Sequence, residues 1–157
     1  MDFKPQSQTF SLRLLLGCLA FLGISAAFGG IVLVINPSGG LIGMPISLLR
    51  FSPFDDFLIP GLILGIVFGI GSFAAILALW FRPAWSLASA LTHATGEHWA
   101  WSAALVIGSG QVIWIVTQML MMRGVSVLHF LYGGLDLLIV FLTLGPNLRR
   151  SFSLGPT

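Results

Sequence analysis

Four long runs of sequence carry no charged side chain, or only one, and nothing constrains this chain of 157 residues more tightly. Leu14 to Ile35 is an uncharged stretch of 22 residues, Phe57 to Phe81 one of 25 and Trp99 to Met122 one of 24. A hydrocarbon layer about 30 Å thick takes roughly 20 apolar helical residues to cross. It offers no partner to a backbone N–H or C=O, so the helix, which pairs those groups internally, is the structure each run predicts. The fourth run, between Arg123 and Arg149, is of similar length but has Asp136 at its middle.

Only 8% of the residues are charged and 57% are hydrophobic, against roughly 25% and 45–50% in soluble domains. That balance excludes a soluble enzyme, a disordered chain and a direct reader of nucleic acid. The predicted fold is all-α, an integral membrane four-helix bundle forming a single transmembrane domain over 1–157. Its helices are expected at about 14–35, 53–81, 97–122 and 126–145. The stops are Asn36-Pro37-Ser38-Gly39-Gly40, Arg82-Pro83, Arg123-Gly124 and Pro146-Asn147.

Lys4, Arg13, Arg82, Arg149 and Arg150 fall on one face of such a bundle, and Arg50 and Arg123 on the other. Five cations against two predict that both termini lie in the cytoplasm, and oppose a dual-topology dimer. Trp80, Trp85, Trp99 and Trp101 then gather at the cytoplasmic interface, where aromatic belts sit. Cys18 stands alone, so neither a disulfide nor a CxxC redox pair is available. Only four residues separate Arg13 from Cys18, too few for a lipoprotein h-region, and the apolar run past Ser25-Ala26-Ala27 is too long for a cleaved signal. The first helix reads as an uncleaved anchor.

Residues 36–52 form the connection on the outer side. Seven of the eleven side chains from Leu41 to Phe51 are large and apolar, which predicts an interfacial segment capping the bundle. Ser52 as N-cap, Pro53 at the first helical position and the acids Asp55 and Asp56 predict the start of the second helix, with a kink at Pro60. Asn36-Pro37-Ser38-Gly39, Gly43-Met44-Pro45, the Ser52-Pro53-Phe54-Asp55 stretch running into Pro60-Gly61-Leu62, and Gln111 to Ile115 together carry a likeness. On them the chain resembles a loose set of small, uncharacterised bacterial four-span membrane proteins over residues 14–145. The resemblance implies a four-helix inner-membrane protein and carries over no catalytic or ligand-binding residue.

Asp136 lies 13 positions from Arg123 and 13 from Arg149, close to the bilayer midplane. An acid at a helix centre costs roughly 2.5–3.5 kcal/mol to insert, so it should face the bundle, be paired or stay neutral. Folding the chain at Arg123-Gly124 brings Gln111 to the same depth, 12.5 positions either side of the turn centre, and Gln118 opposite His129. These four residues form the candidate intramembrane polar cluster, read first as interhelical glue and second as a proton or ligand site. Trp114 falls opposite Gly133 and Gly134, a ring against a groove. His129 has no facing histidine for a haem. His93, Glu97 and His98 read better as a polar loop than as a metal site, so no cofactor is expected.

Gly61, Gly65 and Gly69 repeat every four residues on the second helix, as Ser25/Gly29 and Ala26/Gly30 do on the first. Such faces let helices approach closely, within one chain or between copies. With no paired carboxylates and no nucleophile beside a base, the expectation is a non-enzymatic protein. It would be an accessory or assembly subunit, or a binder of a lipophilic molecule beneath the outer loop. The alternative is an oligomeric proton-coupled transporter or channel using Asp136. Expected partners are membrane lipids, other membrane subunits or a second copy, and no nucleic acid.

Overall fold

The computed structural model describes residues 10–85, 88, 92 and 94–153. Lys4 and His93 lie outside the described residues. The protein is an all-α membrane bundle with four helices long and apolar enough to cross a bilayer: α1 (Phe10–Ile35), α2 (Leu58–Phe81), α3 (Trp99–Met122) and α4 (Val127–Leu144). A short fifth helix, α5 (Pro146–Phe152), follows α4 almost at once. We call the end that carries residues 36–57 and Arg123 the loop end, and the other the tryptophan end.

α1 starts at Phe10, ahead of Arg13, because a charge limits where hydrocarbon can begin and not where a helix can. α2 starts later than expected. Ser52 is bonded locally to Phe54 rather than capping a helix, and Asp56 Oδ1 accepts the Leu58 N–H at 2.9 Å. Pro60 gives the reason. With Leu58 as the first helical residue, Pro60 sits within the first turn, where its missing N–H has no intrahelical partner to lose. A start at Pro53 would have put it in the helix interior. Pro60 thus marks the beginning of α2, and the expected interior kink is not needed. Residues Ile63–Ile70 are π-helical, so α2 is widened along the stretch that holds Gly65 and Gly69.

The glycine faces seat α2 on α1 within the chain. A Cβ added at Gly30 would lie 2.5 Å from the Cα of Gly65, one at Gly61 2.8 Å from Leu33 Cβ, and one at Gly69 3.0 Å from Ala27 Cα. Such backbone contact is what small residues permit in lipid, where dispersion replaces the hydrophobic effect between helices. Gly134 of α4 makes no such seam, since a Cβ there would meet nothing within 4 Å.

The core is lopsided. At the tryptophan end Leu15, Leu19 and Leu22 of α1, Ala78 and Leu79 of α2, Ala100 and Ala104 of α3, Ile139 of α4 and Leu148 and Phe152 of α5 form one buried cluster. At the loop end only Leu33, Leu49 and Phe57 do so, with Met44, Leu48 and Phe54 against them. The connecting segment therefore caps this end, tied down by the Phe57 N–H bonded to Pro37 O at 2.9 Å. It makes two short 3-10 turns, Gly40–Ile42 and Ile46–Leu49.

Candidate functional site

α3 and α4 run antiparallel in the register that the turn arithmetic gives. A Cβ at Gly108 would be 2.7 Å from Ile139 Cγ2, and one at Gly133 3.9 Å from Ile115 Cγ2. Gln111 lies between Gly108 and Ile115 on α3, and Asp136 lies between Gly133 and Ile139 on α4. The two side chains therefore share one level of the bundle, buried to 2% and 0% exposure.

They do not bond to each other. Both carboxyl oxygens of Asp136 and the Oε1 of Gln111 are buried without a hydrogen-bond partner among the described residues. The direct bond that interhelical glue at this level would use is thus not formed. The second rung fails differently. His129 folds back on its own helix start, its Nδ1 accepting the Ser126 N–H at 2.9 Å in a capping box. A partner three residues away in sequence wins over Gln118 across the interface. Gln118 instead lines a cavity of about 20 Å³ beneath the loop segment, together with Leu33, Met44, Leu49, Phe57 and Trp114. That volume suits one water.

Trp114 is turned toward α2, its ring 6.4 Å from that of Phe68, and does not fill the groove at Gly133 and Gly134. Its Nε1 is also buried without a partner among the described residues, as are the Oγ atoms of Ser72 and Ser102. Ser72 faces Gly23 of α1, 3.2 Å from a Cβ placed there. Ser102, nine residues before Gln111, is on the opposite side of α3.

A wider groove of about 280 Å³ opens sideways between the loop-end halves of α1 and α2. Its floor is Gly30, Gly61 and Gly65, and its walls are branched apolar side chains such as Ile31, Val34 and Ile66.

The tryptophan end is held by bonds that the sequence reading missed. Arg149 of α5 pairs with the nearly buried Glu97 at 3.0 Å. Arg82 stacks on Phe152 at 4.0 Å and donates to Ser151 O at 2.9 Å. Trp99 and Trp101 donate their indole N–H groups to Pro83 O and Thr143 O, at 2.8 and 2.7 Å. Trp101 is thus a core residue and no belt residue, whereas Trp80 and Trp85 are more than half exposed. His98 caps α3 by accepting the Ala100 N–H at Nδ1, 3.2 Å away. Burial and the nearby Arg82 charge hold its pKa below the ordinary value, partly countered by a hydrogen bond to the Arg82 backbone. The signal for α5 was present as Gly145-Pro146, a helix restart, followed by the apolar pair Leu148 and Phe152 four apart. Glu97 and His98 are engaged in these bonds, and no group of three metal-ligating side chains occurs among the described residues.

No family model, curated protein or solved structure matches the chain.

Proposed function

We propose that this is a non-enzymatic multi-pass protein of the bacterial inner membrane in which Asp136 binds and releases a proton, as part of an oligomeric proton-coupled transporter or channel. One observation carries the reading. A carboxyl group at mid-span, with 0% exposure and neither a hydrogen bond nor a counter-ion among the described residues, contributes nothing to packing that leucine would not do better. Intramembrane acids of that kind are retained for what they do with protons or ions. Both termini lie in the cytoplasm, with the tryptophan end inside and the loop end outside, as the cation count supports.

The test is proton uptake by the protein in sealed vesicles containing a pH-sensitive dye. Asp136→Asn should abolish a pH-driven flux that Asp136→Glu retains, with both variants assembled as the parent is. Equal flux from parent and Asp136→Asn would overturn the reading.

The groove between α1 and α2 favours a second reading, an accessory or assembly subunit that holds a lipid chain or a partner's apolar segment there. In that case Ile66→Trp, which fills the groove, would release a co-purified lipid or subunit. Unchanged co-purification would count against it.

A further inference from the structure

Three polar side chains stand in line along one face of α3. Gln118, Trp114 and Gln111 lie at i, i−4 and i−7, within about 60° of one another around the helix. Gln118 and Trp114 both border the cavity beneath the loop, whose volume of about 20 Å³ has room for one water. The Trp114 Nε1 and the Gln111 Oε1, about 4.5 Å of helix rise deeper, are buried with no partner among the described residues. Asp136 sits at the level of Gln111, its oxygens in the same condition.

Toward the tryptophan end the arrangement is the reverse. The same face of α3 continues as Gly108, Ala104 and Trp101. Gly108 is closed by Ile139, and Ala104 and Trp101 lie in the large apolar cluster. Of the polar groups found there, the Trp101 indole is bonded to Thr143 O, the Thr143 hydroxyl to Ile139 O and one Glu97 oxygen to Arg149, while the other Glu97 oxygen has no partner among the described residues. Ser72 and Ser102 point away from this line.

We infer that this face of α3 is the proton access route to Asp136 from the outer side, the inner side being closed in this conformation. The inference rests on Asp136 as a proton-binding group and adds the side from which it is served. A proton arrives on cavity water held by Gln118 and Trp114, passes Gln111, and converts the Asp136 carboxylate to the acid; release to the inner side requires the apolar cluster to part. No other ionisable side chain intervenes. α2 and α3 present none, and Cys18 of α1 and Tyr132 of α4 are the titratable groups facing the bundle interior. Among the described residues the charged groups other than Asp136 gather at the two ends, with Arg50, Asp55, Asp56 and Arg123 at the mouth.

The loop is the lid of the route. Met44, Leu49 and Phe57 roof the cavity, and Phe51 is held beneath the Arg123 guanidinium, 4.0 Å from its ring centre. Losing that contact should raise the rate of opening roughly two- to fivefold.

Two measurements on the full chain in vesicles test this. The first is the rate at which an impermeant thiol reagent, applied from outside, modifies Gln118→Cys in a Cys18→Ala background, with and without Phe51→Leu. The second is the infrared C=O band of Asp136, identified by its loss in Asp136→Asn, as pH is changed on one side at a time. The expected results are modification from outside, two- to fivefold faster with Phe51→Leu, and a band that follows the outer pH and stops doing so once the thiol of the Gln118→Cys variant is blocked. A Gln118→Cys protein inert to the reagent while Leu41→Cys reacts would overturn the route. A band that follows only the inner pH would overturn it too, leaving Asp136 a proton site. A band that responds to neither side would overturn the proposed function with it. Gln118→Ser, which keeps a hydroxyl at the cavity, serves as the folded control and should still titrate from outside.

Discussion

Gly30 and Gly134 differ in what surrounds them, although both close a Gly-Gly pair. An alanine methyl at Gly30 would press into the Gly65 backbone at 2.5 Å, whereas one at Gly134 would meet nothing within 4 Å. Gly30→Ala should therefore destabilise the protein by about 1–3 kcal/mol through overpacking. Gly134→Ala should be neutral or better, since alanine is the stronger helix former. Unfolding in detergent, followed by circular dichroism, compares them, and equal stabilities would contradict the seam. Depth could be read from sequence because helix rise is fixed, so counting from Arg123-Gly124 located Gln111 and Asp136 on one level. Whether two side chains at one level bond is decided by rotamers and by nearer competitors, which counting does not reach. His129 shows this, taken by Ser126 before Gln118 could compete.

Among the elements, the four spans were legible because lipid enforces their length and composition, and local preference scarcely matters there. The boundaries of α2 were not. Two prolines, Pro53 and Pro60, each suit a first turn, and the choice between them falls to the buried fit of Phe57 and Leu49 under the loop. α5 escaped because a seven-residue helix has too little pattern of its own and is stable only by what it touches. Those contacts make the tryptophan end sensitive to acid. The His98 pKa is depressed in the folded protein, so its neutral form is favoured there and the cap to Ala100 needs that form. Stability from this group is then present above the ordinary value of 6.5 and is lost as pH falls below it. Melting temperature should drop between about pH 7 and pH 5, where histidines with ordinary or lowered values titrate. His98→Asn, which keeps an N-cap acceptor, should lessen that drop. A pH profile unchanged by His98→Asn would place the sensitivity elsewhere.

For the molecule as a whole, topology is the first quantity to measure. A cysteine in place of Ser153, in a Cys18→Ala background, should react with an impermeant reagent only from the cytoplasmic side. A fluorophore at Leu41, whose side chain is 61% exposed at the loop end, should be quenched by spin-labelled lipid. Reaction of the Ser153 site from outside would invert the orientation, and an unquenched label at Leu41 would remove the loop from the interface. Four helices and α5 converge on the apolar cluster at one end, while α1, the loop and the start of α2 supply the few buried side chains at the other. The free energy of local opening must then fall from one face of the membrane to the opposite one. Amide exchange should be slowest around Leu15 to Leu22 and Ala100 to Ala104, and fastest in the loop and the last turn of α3. The bundle would breathe at one mouth far more often than at the other.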